Sequence, residues 1–143
     1  MIGEFDQFDC AMATPLQEVT MSAHPDLPAG IGVIELRFAN CAVFVCIEDE
    51  YDTLTCANAL PPTYSDYTHR LDASFWDGLI GKSLTNAWLM TNDRGYPDAI
   101  QLRFRDLPNA GNYSVVQMYG EASQIVLTEF GIVRRCSFED EPA

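Results

Sequence analysis

Apolar and polar residues alternate along most of this chain with the period of two that half-buried β-strands require. Ile34, Leu36 and Phe38 share one face, with Glu35 and Arg37 on the other. Ile100, Leu102 and Phe104 repeat that pattern against Gln101, Arg103 and Arg105. Leu16 to Ser22 alternates too, with Leu16, Glu18 and Thr20 opposite Gln17, Val19 and Met21. Cys41 to Ile47 is almost continuously apolar, which predicts a central strand covered on both faces. Tyr51 to Ala57, Leu84 to Met90, Tyr113 to Tyr119 and Gln124 to Phe130 read as further strands. Gly131 to Phe138 is a candidate for a last one. Residues 1–14 have no period, and Phe5 and Phe8 are candidates to cover an edge of the core.

Turn residues punctuate the strands. His24 to Gly30 reads as a loop from its Pro and Gly content, and Leu107 to Asn112 as another. Ala39-Asn40, Glu48-Asp49-Glu50 and Gly120-Glu121-Ala122 are short turns. Asn92-Asp93-Arg94-Gly95 is a tight one, with Gly95 available for a positive φ. Between Asn58 and Asp72 the pattern fails, and Pro61-Pro62 stops any regular element. A short helix is expected from Ala73 to Ile80, capped by Asp72 and ended by Gly81. Phe75, Trp76, Leu79 and Ile80 would form its buried stripe.

The two halves of the chain resemble one another. Leu16–Met21 aligns with Leu84–Leu89, and Ile34–Phe38 with Ile100–Phe104, including the identities of an I-x-L-R-F run. The strands at 41–47 and 51–57 then align with those at 113–119 and 124–130. This self-similarity predicts an internal duplication, 16–57 and 84–130, joined by a loop-helix connection at 58–83. The expected fold is one domain over 1–143, mainly β with a small helical part. Two four-strand antiparallel units would form a sandwich or flattened barrel, because neither unit can bury its apolar face alone.

Charge narrows the function classes. Eight Lys and Arg stand against 21 Asp and Glu, a formal net charge of -13. That excludes phosphate-driven binding of nucleic acid and disfavours an anionic membrane surface. It favours fast association with a basic protein. Five cysteines, an odd number without a CxxC pair, are expected to be reduced thiols in a cytoplasmic protein. Cys41, Cys46 and Cys56 would serve as small buried hydrophobes. The acidic start of the chain lacks a signal-peptide pattern, and no apolar run reaches membrane-spanning length.

Catalytic chemistry finds little support. His24 and His69 have no partner at metal-ligand spacing, so no metal and no cofactor is expected. Cys10, Cys56 or Cys136 would need His69 as a base to act as a nucleophile. GxSxG, P-loop and GxGxxG motifs are absent from the sequence. The acidic tip Glu48, Asp49, Glu50 and Asp52 lacks the spacing of a calcium loop and reads as a solvated hairpin end. The surface candidates for partner binding are Asn92, Asp93, Arg94, Tyr96 and Asp98 around Gly95, with Tyr64, Tyr67, His69 and Arg70 in the long connection. Tyr and Arg concentrate binding energy at interfaces, and a long irregular segment in a small domain is often a binding loop.

The run from Leu79 to Phe104, with Gly81, Lys82, Asn92, Gly95, Tyr96 and Asp98 at matching positions, resembles a family of small bacterial domains of unknown function. The resemblance spans roughly residues 72–130 and implies turn and core positions rather than an activity. The expected function is therefore non-enzymatic protein–protein contact, in the manner of an inhibitor or immunity protein that masks a basic partner. Two alternatives are a small-ligand binder or enzyme with a site between the β units, where Arg37 and Arg103 are equivalent, and a structural subunit of a larger assembly.

Overall fold

The computed structural model describes residues 5–48, 50–106 and 112–134, with the side chains of 112 and 131–134 left aside. Asp49, residues 107–111, on which the loop expected from Leu107 largely falls, and the residues from Arg135 on, which include Cys136 and the acidic end, lie outside the described residues. The chain is mostly β, a single curled antiparallel sheet in the form of a half-barrel with little helix. Its strands are β1 (Leu16–His24), β2 (Leu27–Phe38), β3 (Ala42–Glu48), β4 (Thr53–Ala57), β5 (Arg70–Leu71), β6 (Ser83–Thr91), β7 (Pro97–Arg105), β8 (Asn112–Glu121) and β9 (Gln124–Arg134). The order is β4-β3-β2-β9-β8-β7-β6, with β1 between β2 and the short β5.

Two meanders make up this sheet. β1 to β4 pair in sequence, and so do β6 to β9. The long strand β2 links them. Its Val33–Arg37 segment pairs with β3, while Ile31 pairs with Ile125 of β9. The stretch before β1 reaches the far end through bridges from Met12 to Leu84 and from Pro15 to Ser83. Inward residues of both meanders fill one core. Ile34, Leu36, Ile100, Leu102 and Phe104 are all completely buried there. Phe8 joins them, so part of the N-terminal arm belongs to the core.

The two opening hairpins share one register. Leu16 pairs with Phe38, Glu18 with Arg37, Val19 with Leu36 and Met21 with Ile34. Likewise Leu84 pairs with Phe104, Asn86 with Arg103, Ala87 with Leu102 and Leu89 with Ile100. Each has a bulge at the same place, between Leu16 and Glu18 and between Leu84 and Asn86. The bulge sets two residues against one, and so reverses which face the next side chain takes. Strict alternation puts Val19 and Met21 opposite Leu16, yet all three are buried together. Further on, Leu36 pairs with Val43 and Leu102 with Val116, so the sequence alignment of these third strands is one residue out.

Other expectations are corrected. The stretch 24–30 is a tight hairpin, with β2 starting at Leu27. Pro28 and Gly30 sit where pairing with β1 is irregular, so the missing N–H of Pro28 breaks no regular ladder. The short helix forms, as a 3-10 helix over Ser74–Leu79. Trp76 and Leu79 are buried, but Ile80 is exposed. Asp72 accepts from the Ser74 N–H at 3.0 Å, and Gly81 closes the segment at φ +93°. The segment at 131–134 extends β9 rather than adding a strand. Cys10 and Cys41 are joined by a disulfide, against the expected set of reduced thiols. A 3-10 turn at Asp9–Ala11 carries Cys10 to the turn before β3, which no spacing along the sequence reveals. Among the described residues, no helix is long and apolar enough to cross a membrane.

Candidate functional site

The connection after β4 folds back over the outer face of β1–β3 and creates a second, smaller apolar layer. Pro61 holds φ at -65° and starts a 3-10 turn over Pro62–Tyr64. That turn buries the Tyr64 ring against Val33 and Cys46. Its hydroxyl donates to the Ile47 carbonyl at 2.7 Å. Tyr67 meets Tyr64 edge-on at 5.0 Å and His24 at 5.4 Å. The Tyr67 ring lies against β2 at Gly32, where a Cβ would stand 2.5 Å from it. Glycine is required there because any side chain would lift the connection off the sheet.

On the near side of these rings, the β3–β4 tip completes a groove. Its volume is about 370 Å³, and Glu48, Glu50, Tyr51, Thr63, Tyr64 and Tyr67 form its walls with Ile47. Tyr51 is 56% exposed and stacks on Tyr96, itself 44% exposed, with 5.8 Å between ring centres and 17° between planes. Two separate turns thus deliver a tyrosine pair to one rim. The tip is anchored from below. Asp52, at φ +53°, accepts from the Ala122 and Ser123 N–H groups at 3.2 and 2.8 Å.

The sequence candidates divide in three. Tyr64, Tyr67 and Tyr96 are brought together through Tyr51. Asn92 builds the turn: its side-chain oxygen accepts from the N–H groups of Arg94 and Tyr96, while Gly95 takes φ +86°. Asp93 and Arg94 stand exposed at that turn and Asp98 is half-buried behind it. His69 and Arg70 fall on the other side of the connection. His69 lines a hollow with His24, Pro25 and Pro28. Arg70 donates to the Ser22 hydroxyl at 2.9 Å beside a cavity of about 200 Å³, smaller than the usual range for ligand sites. Glu48 and Glu50 read in the sequence as a solvated tip and Tyr51 as the start of a strand, but β4 begins at Thr53 and Tyr51 lies in the turn; the one available signal is an aromatic beside an acidic turn.

Among the described residues, no cysteine is set up as a nucleophile. Burial pushes the Cys46 thiol up to about 12, and burial followed by the neighbouring Cys46 does the same to Cys56. Both stay protonated near neutrality, whereas a cysteine nucleophile needs a lowered pKa. Cys10 is bonded to Cys41. Arg37 and Arg103 stand on the outer faces of the sheet, away from the shared core.

An all-β half-barrel with an acidic, tyrosine-walled groove is the class of protein that these features define. Residues 1–134 match the family of unknown function DUF6334, and the chain belongs to that family. The match takes in both meanders and the connection, far beyond the segment around Leu79 to Phe104. No curated protein and no solved structure matches the chain.

Proposed function

We propose that this chain is a non-enzymatic binding protein that takes a basic segment of a partner protein into the groove between Tyr51, Tyr64 and Tyr67. The observation that carries this reading is the wall composition: three tyrosine rings with Glu48 and Glu50, on a chain of net charge -13. Aromatic faces attract ammonium and guanidinium groups, and nearby carboxylates pair with them. The surrounding acidic field speeds encounter with a basic surface. Masking such a surface is the action of an inhibitor or immunity-type protein, and that is the sharper form of the proposal. The repeated register supports reading 16–57 and 84–130 as two copies of one unit, with the groove built on the first copy and rimmed by Tyr96 of the second. An oxidising compartment preserves the Cys10–Cys41 bond and the cytoplasm opens it, and the groove reading holds in either.

The test is affinity capture at low and high salt, with wild type and Tyr51→Ala side by side. A stoichiometric basic partner, released at high salt and lost with Tyr51→Ala, is the expected result. Truncating an aromatic that contacts the partner weakens binding by about 1 kcal/mol or more. Capture that is indifferent to both salt and Tyr51 would contradict the proposal.

A further inference from the structure

The outer face of the second meander holds an arrangement that the first lacks. On β2, Arg37 is neutralised by its neighbours: Glu35 at 2.7 Å and Glu18 at 3.7 Å. The registers equate Glu18 with Asn86, Glu35 with Gln101 and Arg37 with Arg103. Both acids are thus replaced by amides, and the arginine is kept. Arg103 is held by hydrogen bonds to Asn86 and Thr85 rather than by a carboxylate. Its guanidinium carbon lies 4.7 Å from the Tyr113 ring centre and 5.9 Å from that of Trp88. Arg105 lies 5.0 Å from the same Tyr113 ring, and its Nε is buried without a hydrogen-bond partner. Among the described residues, no carboxylate pairs with either arginine, and the adjacent Asp106 pairs with Lys82 at 3.0 Å. Trp88 is 42% exposed beside them. In a chain with 21 acids and eight bases, two like charges stand around one ring with no carboxylate partner among the described residues.

We propose that Arg103, Arg105, Tyr113 and Trp88 form a second binding surface that takes an extended acidic segment of a protein partner. Arg103 and Arg105 are two residues apart on one strand face, a separation of roughly 7 Å. Alternate side chains of an extended peptide have the same spacing, so carboxylates two residues apart each meet one guanidinium. Arginine binds carboxylates with paired hydrogen bonds. Two residues further along β7, Gln101 stands opposite Trp88, where an apolar side chain of the same segment packs on the indole. Nucleic acid fits less well, because its affinity comes from many cations neutralising many phosphates. The distant acids of the chain are screened beyond about 8 Å at physiological ionic strength, so the two nearby guanidinium groups govern the contact.

The full chain is titrated with the synthetic peptide acetyl-Glu-Thr-Glu-Thr-Phe-amide while Trp88 emission is followed; the other tryptophan, Trp76, is buried. A saturable change is expected, weakened about tenfold or more by Arg105→Gln and by Gln101→Glu. Gln101→Glu restores the acid that β2 carries at Glu35 and removes no cation, so it separates binding from folding. Arg37→Gln, the corresponding loss on the first meander, leaves binding intact. Three results would each overturn the proposal: no saturable response from wild type, unchanged affinity in Gln101→Glu, or tighter binding of an oligonucleotide of equal charge.

Discussion

The two meanders share a register and a bulge but not a surface. Inward, Leu16, Ile34, Leu36 and Phe38 have counterparts in Leu84, Ile100, Leu102 and Phe104, and the buried Met21 has one in the half-buried Leu89. Outward, the first meander places Val33 and Cys46 under Tyr64, with Phe44 and Tyr67 packed beside them. The second has Ala99, Tyr119 and Gln117 at those places, by the pairs Val33–Cys46 against Ala99–Tyr119 and Glu35–Phe44 against Gln101–Gln117. There Gln101 donates to Gln117 at 2.8 Å. Core packing constrains the inner face of a sheet to matched volumes, while the outer face answers only to what lies on it. One outer face has become the seat of a folded connection, and the other carries an arginine pair with no carboxylate partner among the described residues.

If the inner faces are equivalent, the equivalent phenylalanines cost the same. Phe38→Ala and Phe104→Ala are each expected to lower unfolding free energy by about 3–5 kcal/mol. Urea denaturation reads both, and a large loss at one with little at the other would break the equivalence. The disulfide is particular to the first meander. Reducing Cys10–Cys41, which closes a separation of 31 residues, is expected to cost about 2–5 kcal/mol. Denaturation with and without reductant measures it.

Smaller effects sharpen the contrast. Gly120→Ala places a Cβ 2.3 Å from the Asp52 carbonyl oxygen, where the tip of the first meander rests on the second. Such overpacking costs about 1–3 kcal/mol, and thermal unfolding of the variant tests it. Cys46 and Cys56 add an alkaline dependence. Their thiols are held at about 12, while an unfolded thiol ionises near its ordinary value of 9.0. The unfolded chain therefore gives up protons first. Stability is complete below pH 9 and is lost as pH rises toward about 12, a trend that Cys46→Ala with Cys56→Ala should flatten. The smallest change is Glu35→Gln. The pair it breaks involves an Arg37 side chain that is 53% exposed, so solvent screening limits the cost to about 0.2–1 kcal/mol.

Much of the strand plan was legible because inward residues alternate. Ile34-Glu35-Leu36-Arg37-Phe38 and its later counterpart announce their buried faces without reference to the rest of the chain. The bulges were not legible, since a one-residue insertion leaves composition unchanged and reverses facing. The loop expected at 24–30 became strand because pairing to β1 overrode the local preference of Pro28 and Gly30. The 3-10 turn at 74–79 hides its type in the sequence, where Phe75, Trp76 and Leu79 fit an α-helical stripe equally well. For the groove, Tyr64 and Tyr67 were visible as aromatics in a long connection. Tyr51 was not, because its role depends on Tyr96 arriving from another hairpin. His69 and Arg70 looked equally suitable in the sequence and were carried to the far side by the pairing of β5 with β1.

The central claim is that the tyrosine-walled groove, rather than any other surface, receives basic side chains. The most direct measurement is an NMR titration of the labelled full chain with an arginine-rich peptide, following the tyrosine rings and backbone amides. The account predicts saturable shifts at Glu48, Glu50, Tyr51, Tyr64, Tyr67 and Tyr96, reduced by added salt. Shifts spread evenly over the acidic surface, or none at these residues, would contradict it.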